Sequence, residues 1–240
     1  MSMSMTLNEL IQQTGVMSMP NDLIVSSFIL DGLKFKTGLE LGAGSGGWAL
    51  AMDYMCSNKS DWVLVENFNW INSGYTDWPT NKTELENRLA VLRSVKVYDQ
   101  DVHELIVNNE LARHNVNFLR IDCDISVCEL EKILQNVVNT SGLVFIDDNR
   151  VNCGLYRIYI GLELTRLGKL YPVWFGEKEA VYATTPELAA QAQDIITTKL
   201  NESPDMNIYL NAEEKTMWTK TYKFLATTSY PIFTGDYDAH

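Results

Sequence analysis

The sequence predicts an α/β fold, a doubly wound, mostly parallel seven-stranded sheet with helices on both faces and a closing antiparallel hairpin. Three observations carry this. An apolar run over residues 36–42 enters the glycine-rich turn Gly42-Ala-Gly-Ser-Gly-Gly47, and an apolar helical run from Trp48 to Cys56 follows. Several later runs are short, apolar and end in carboxylates, as strands covered on both faces do where they emerge at a sheet rim. These runs alternate with helical segments, the βαβ pattern that makes strands parallel. At 240 residues the chain fits one large domain with an appendage. We divide it into a helical lead-in (1–36), a Rossmann-like core (37–184) and a C-terminal extension (185–240).

The lead-in carries apolar positions at Leu7, Leu10 and Ile11, and a second apolar run from Leu23 to Leu30 beyond Pro20. Asp61 to Phe68 reads as the second strand, ending at Glu66. Asn67 to Thr80 is a polar and aromatic loop longer than most connections, a candidate lid in which Trp70, Tyr75 and Trp78 either wall a substrate or pack the loop onto its own body. Lys82 to Arg93 reads as helix, Val95 to Tyr98 as a short strand and Asp101 to His114 as helix. Val116–Asp124 and Leu143–Asp148 are strands ending in paired acids, with Val127 to Val138 a helix between them. Val173–Phe175 and Ala180–Thr184 then form the closing hairpin. A second registration makes 116–122 the third strand and 143–148 the fourth, and draws the hairpin from the tail. The extension holds a helix from Pro186 to Leu200 and two strand-like runs, 207–210 and 221–228. It reads as a cap, a sheet edge, or a dimerisation arm that would make a homo-oligomer.

A net charge of −12 argues against nucleic acid or an anionic membrane as partner, since neutralising phosphates needs clustered Lys and Arg. Small-molecule substrates are favoured. The four cysteines, Cys56, Cys123, Cys128 and Cys153, form no C-x-x-C pair, and there is no signal-like or membrane-length apolar run, which together suggest a cytoplasmic protein. His103 and His114 lie on one helix with no neighbouring ligand pattern, and read as surface or packing residues. Asp236, Asp238 and His240 resemble ligands but sit at the chain terminus.

Gly42, Gly44 and Gly47 satisfy Gly-x-Gly-x-x-Gly, where a missing Cβ lets a nucleotide-type ligand approach the backbone. The alternative is a tight turn with no ligand. Glu40, just before the turn, would repel a pyrophosphate but suits the ammonium and sulfonium of S-adenosylmethionine. Glu40-Leu-Gly42-Ala-Gly44-Ser-Gly46 resembles motif I of the class I methyltransferases. Candidate cofactor-binding residues are Glu40, Gly42, Ala43, Gly44, Gly46, Glu66, Asn67 and Asp99. Glu66 lies about where a second-strand acid reaches ribose hydroxyls; Asp99 or Asp101 could meet the adenine amino group, Asp101 reading equally as a helix N-cap. An NAD(P)-dependent oxidoreductase shares these glycines and Glu66, and a non-catalytic cofactor-binding or assembly protein also stays open.

Parallel strands would bring the acids ending at Asp124 and Asp148 to the same rim as the glycine turn. Gathered carboxylates repel one another unless a cation joins them, and a hard divalent ion such as Mg2+ is one solution; acids that merely cap the following helices are another. Trp62-Val-Leu-Val-Glu66, Phe118-Leu-Arg-Ile-Asp122-Cys-Asp124, Gly142-Leu-Val-Phe-Ile-Asp147-Asp148 and Pro172 to Tyr182 together resemble, in order, landmarks of the macrocin O-methyltransferase-like family of sugar O-methyltransferases. The resemblance implies methylation of a hydroxyl with S-adenosylmethionine and magnesium. It further implies Asp122, Asp147 and Asp148 as metal ligands, with Asp122 and Asp147 catalytic and Asp122 the general base. Catechol-type O-methyltransferases place their metal acids similarly.

Overall fold

The computed structural model describes residues 6–69, 77–148 and 155–202. Strands β1 (Thr37–Leu41), β2 (Asp61–Val65), β3 (Ser94–Tyr98), β4 (Val116–Ile121), β5 (Val138–Ile146), β6 (Tyr171–Phe175) and β7 (Ala180–Ala183) form one sheet in the order β3-β2-β1-β4-β5-β7-β6. The first five run parallel. β7 pairs antiparallel with both β5 and β6. The first of the two registrations is therefore the one adopted, with 116–121 beside β1 and the hairpin drawn from 171–183. The strand order reverses between β1 and β4, which opens a crevice at their carboxyl ends.

Period-two alternation sorts the strand residues onto two faces. Leu39, Leu41, Val63, Val65, Leu119, Ile121, Val144 and Ile146 belong to an aliphatic core shared with α5 (Val102–Val107), α6 (Val127–Asn136) and α7 (Leu155–Arg166). The opposite face is aromatic, and α1 (Leu7–Thr14), α2 (Pro20–Leu33), α3 (Gly47–Met55) and α8 (Pro186–Glu202) contribute to its core. There Trp48, Trp62, Phe118 and Phe145 meet edge-on or tilted, Trp62 and Phe118 with centroids 5.3 Å apart. Such contacts add about 0.5–1.5 kcal/mol per pair beyond the buried area. The same parity places Glu40, Arg120, Asp122, Asp147 and Glu179 toward the aromatic side at the rim.

Local chemistry sets the helix ends. Capping boxes, Thr6 with Glu9 and Ser126 with Glu129, start α1 and α6, and Pro20 opens α2. Two helices are shorter than expected from sequence. α4 (Lys82–Arg88) ends before Arg93, its last turn closed at Leu89, and α5 stops at Val107 because Asn109 takes a left-handed φ of 57°. Helix α7 has no counterpart among the elements expected from sequence. The α8 helix packs on α2, where Ile195 lies against Gly32 at a spacing that admits no Cβ. No helix among the described residues is long and apolar enough to cross a membrane. The strand-like runs of the tail, and Trp70, Tyr75, Cys153, Asp236, Asp238 and His240, lie outside the described residues.

The β6–β7 turn is fastened to α2. The buried Asp22 carboxylate accepts backbone N–H bonds from Glu177 at 3.0 Å, Lys178 at 2.8 Å and Glu179 at 3.1 Å. Burial pushes its pKa up to about 6 despite those three donors. This grip places Lys178 and Glu179 beside the ends of β4 and β5.

A glycine-floored cleft and its charged rim

At the switch point a cleft of about 270 Å³ is lined by Glu40, Gly42, Gly44, Glu66, Gln100 and Asp122, among others. The glycine turn forms its floor. Gly42, Gly44 and Gly46 have φ of 76°, 53° and 72°, the left-handed region a side chain rarely enters. A Cβ on Gly42 would stand 2.6 Å from the Asp122 carbonyl oxygen, and one on Gly44 would stand 2.6 Å from the Trp78 ring. Ala43 and Asn67 also line the cleft. Gly46 does not, serving instead as N-cap of α3 against Leu85 and Leu89.

Glu66 holds this turn in shape. Its Oε2 accepts from the Gly44 N–H at 2.6 Å and its Oε1 from the Phe68 N–H at 2.9 Å. Each oxygen keeps a second lone pair, and Glu66 lines the cleft. Asp99 is exposed and does not line the cleft; Gln100 and Val102 stand there instead. Asp101 is the N-cap of α5, accepting from the His103 N–H at 2.8 Å. The histidines have structural partners, His103 with Glu129 and His114 with the Tyr98 hydroxyl.

Glu40 is 1% exposed, and the β1–β4 register sets it beside Arg120. Its Oε1 accepts from Arg120 Nη1 at 2.7 Å, while its Oε2 has no partner among the described residues. Burial pushes its pKa up to about 8 against the opposing pull of Arg120. A buried, unpaired carboxyl oxygen on a residue that lines the cleft is a place for a cation, and with the glycine cradle it fits the ammonium end of S-adenosylmethionine.

Arg120 is the hub of the rim, and sequence reading gave it no role. Its guanidinium lies over Trp48 and reaches four carboxylates: Glu40, Asp122 at 3.1 Å, Asp147 at 2.6 Å and Glu179 at 3.3 Å. Glu179 also accepts from the Ser26 hydroxyl at 2.6 Å, and burial pushes its pKa up to about 8. Two further cations close the rim. Arg157, on α7, reaches Asp122 at 3.1 Å, Asp148 at 3.4 Å and Asp124 at 3.5 Å. Lys178 reaches Asp147 at 3.2 Å and Asp148 at 3.1 Å, and donates to the Met17 carbonyl at 3.3 Å.

Burial pushes Asp122 up to about 6, whereas Arg120 and then Lys178 overcome burial at Asp147 and hold it below the usual carboxylate range. Near neutral pH, Glu40 and Glu179 therefore keep their protons, and the three aspartates face Arg120, Arg157 and Lys178.

That balance bears on the metal. Asp122, Asp147 and Asp148 do lie together, but each is already engaged by two organic cations. Among the described residues no group of three His, Cys, Asp or Glu converges as metal ligands would. The repulsion that suggested magnesium is relieved here by guanidinium and ammonium groups, so these residues do not fit a bound divalent ion.

No protein-family model and no curated protein matches the chain. Solved structures do. Methyltransferase PaMTH1 of Podospora anserina, with SAH bound, is 16% identical with a TM-score of 0.52 over 75% of this chain and 87% of that one. Cofactor-bound Rv0187 from MTB is 12% identical, TM-score 0.53, over 74% and 88%. The O-methyltransferase TomG of Streptomyces achromogenes, involved in tomaymycin synthesis and solved with SAM, is 13% identical, TM-score 0.52, over 77% and 91%. At such identities the likeness speaks to architecture: the chain has the Rossmann-like methyltransferase fold, with its seven strands and closing hairpin.

Proposed function

We propose that this chain is an S-adenosylmethionine-dependent methyltransferase acting on a hydroxyl of a small molecule. The observation that carries the reading is Glu40, a buried residue lining the cleft at the switch point, with one carboxyl oxygen unpartnered among the described residues, two residues before the left-handed glycine turn. Structures of the same fold bound to SAH and SAM support the choice of cofactor. S-adenosylmethionine, when bound, supplies an electrophilic methyl group. Glu40 would hold its ammonium, Gly42 and Gly44 would admit it against the backbone, and Glu66 and Asn67 would meet the ribose. Asp122 lines the same cleft with its pKa pushed up to about 6, close to the operating range of a general base. Asp122 would take the acceptor's hydroxyl proton as that oxygen bonds to the methyl carbon and the carbon–sulfur bond breaks, leaving S-adenosylhomocysteine, and would then pass the proton to water. Positioning the acceptor beside Asp122 supplies much of the remaining acceleration.

The test is isothermal titration of wild type and Glu40→Gln with S-adenosylmethionine, S-adenosylhomocysteine and NAD. Wild type should bind the first two in the micromolar range and not NAD. Losing the Glu40 charge should weaken S-adenosylmethionine binding by roughly tenfold or more, as loss of a charge-assisted bond does. Because a cationic ligand pulls down the pKa of about 8 at Glu40, binding at pH 7 should release a proton in wild type and none in the variant. Selective binding of NAD, or an unchanged affinity in Glu40→Gln, would overturn the reading.

A further inference from the structure

The six charged groups of the rim form a closed ring of alternating sign. Arg120 touches Asp122, Asp122 touches Arg157, Arg157 touches Asp148, Asp148 touches Lys178, Lys178 touches Asp147, and Asp147 returns to Arg120 at 2.6 Å; none of the other five spacings exceeds 3.4 Å. The three cations come from different parts of the fold: β4, α7 and the β6–β7 turn. None is a loose surface charge. The side chains of Arg120, Arg157 and Lys178 are 4%, 13% and 15% exposed, and Asp22 clamps the backbone on both sides of Lys178.

We propose that Arg157 and Lys178 hold the place between Asp122, Asp147 and Asp148 that a divalent cation would take, making this a metal-free rim. A metal ion needs carboxylate lone pairs aimed at one point and free of competitors. Here two oxygens of Asp122, two of Asp148 and Oδ2 of Asp147 are already paired with nitrogen donors. Arg157 and Lys178 act as positioning residues. Arg157 fixes the carboxylate of Asp122 and Lys178 those of Asp147 and Asp148; resting on the reading of this edge as the acceptor side, the two supply the positive charge that steadies the acceptor oxygen as its proton leaves.

The experiment is a Mn2+ titration followed by electron paramagnetic resonance, up to about 1 mM free ion, the weak end of protein affinity for hard divalent cations. Wild type is compared with Asp148→Asn, which keeps the size of the side chain and tolerates the φ of 53° at this position. The difference between the two isolates the rim from Mn2+ bound elsewhere on an acidic chain. The expected result is no difference. Arg157→Gln/Lys178→Gln should then gain a site that Asp148→Asn removes, at least about tenfold tighter than anything at the wild-type rim. One Mn2+ bound by wild type and lost in Asp148→Asn overturns the proposal. So does a folded double variant that gains no site; if the double variant does not fold, the first comparison decides alone. S-adenosylhomocysteine titrated into wild type in parallel reports separately on the methyltransferase reading, because its failure to bind would remove that reading and leave the metal result standing.

Discussion

Arg120→Met removes the one guanidinium shared by Glu40, Asp122, Asp147 and Glu179 while keeping a long side chain to lie on Trp48. Breaking a buried ion pair from one side costs about 3–5 kcal/mol, because the stranded carboxylates stay out of water. The structure says which of them strand. Glu40 and Glu179, pushed up to about 8, already hold their protons near neutral pH, so the new penalty falls on the two aspartates, and chiefly on Asp147, which Arg120 keeps below the usual range, since Asp122 retains Arg157 at 3.1 Å. A stranded acid can escape by protonating, at about 1.4 kcal/mol per pH unit above its unfolded pKa. For an aspartate that caps the penalty near about 5 kcal/mol at pH 7.5 and about 2 kcal/mol at pH 5.5. Lys178, still 3.2 Å from Asp147, offsets part of it. Urea unfolding followed by tryptophan fluorescence at the two pH values measures both numbers. At pH 7.5 the loss corresponds to a fall in Tm of about 6–20 °C for a chain of this size. A penalty under about 1 kcal/mol at pH 7.5, or one that does not shrink at pH 5.5, would refute the reasoning.

Two further perturbations read the same region. Glu179 has a folded pKa raised from 4.5 to about 8, so the stability tied to its proton is fully present below about 4.5 and is lost as pH rises through about 8. Wild type should therefore lose stability relative to Glu179→Gln across that window in paired thermal melts, and parallel curves would sink the idea. Asp22→Asn replaces one of the two oxygens that receive the 177–179 amides with a donor. It should cost about 1–3 kcal/mol and speed hydrogen exchange in the β6–β7 turn, and unchanged exchange there would mean that the turn is held by other contacts.

Most of the architecture was legible because buried parallel strands and a glycine turn leave local marks. The apolar runs at 37–41, 61–65 and 143–146 and the left-handed glycines after β1 needed no distant information, whereas the hairpin at 171–183 was one of two registrations that the sequence left open. What was missed is long-range. The acids at Asp122, Asp147 and Asp148 stand next to apolar strands and catch the eye, whereas two of the cations that balance them sit on α7 and on a turn, 35 residues from Asp122 and 31 from Asp147. Sequence could pose the charge problem there and offer a metal as one answer, but only the packing of three elements shows which cations arrive. One clue was nonetheless local. Arg120 stands between Leu119 and Ile121 in a strand whose neighbours on both sides are parallel and buried. A guanidinium cannot be left there unpaired, so it requires carboxylates within reach on the adjoining strand ends. Glu40 on β1 and Asp147 after β5 are the acids that this topology supplies. An arginine inside a central parallel strand thus predicts an internal ion-pair hub, and with it competition against any metal at the acids it gathers.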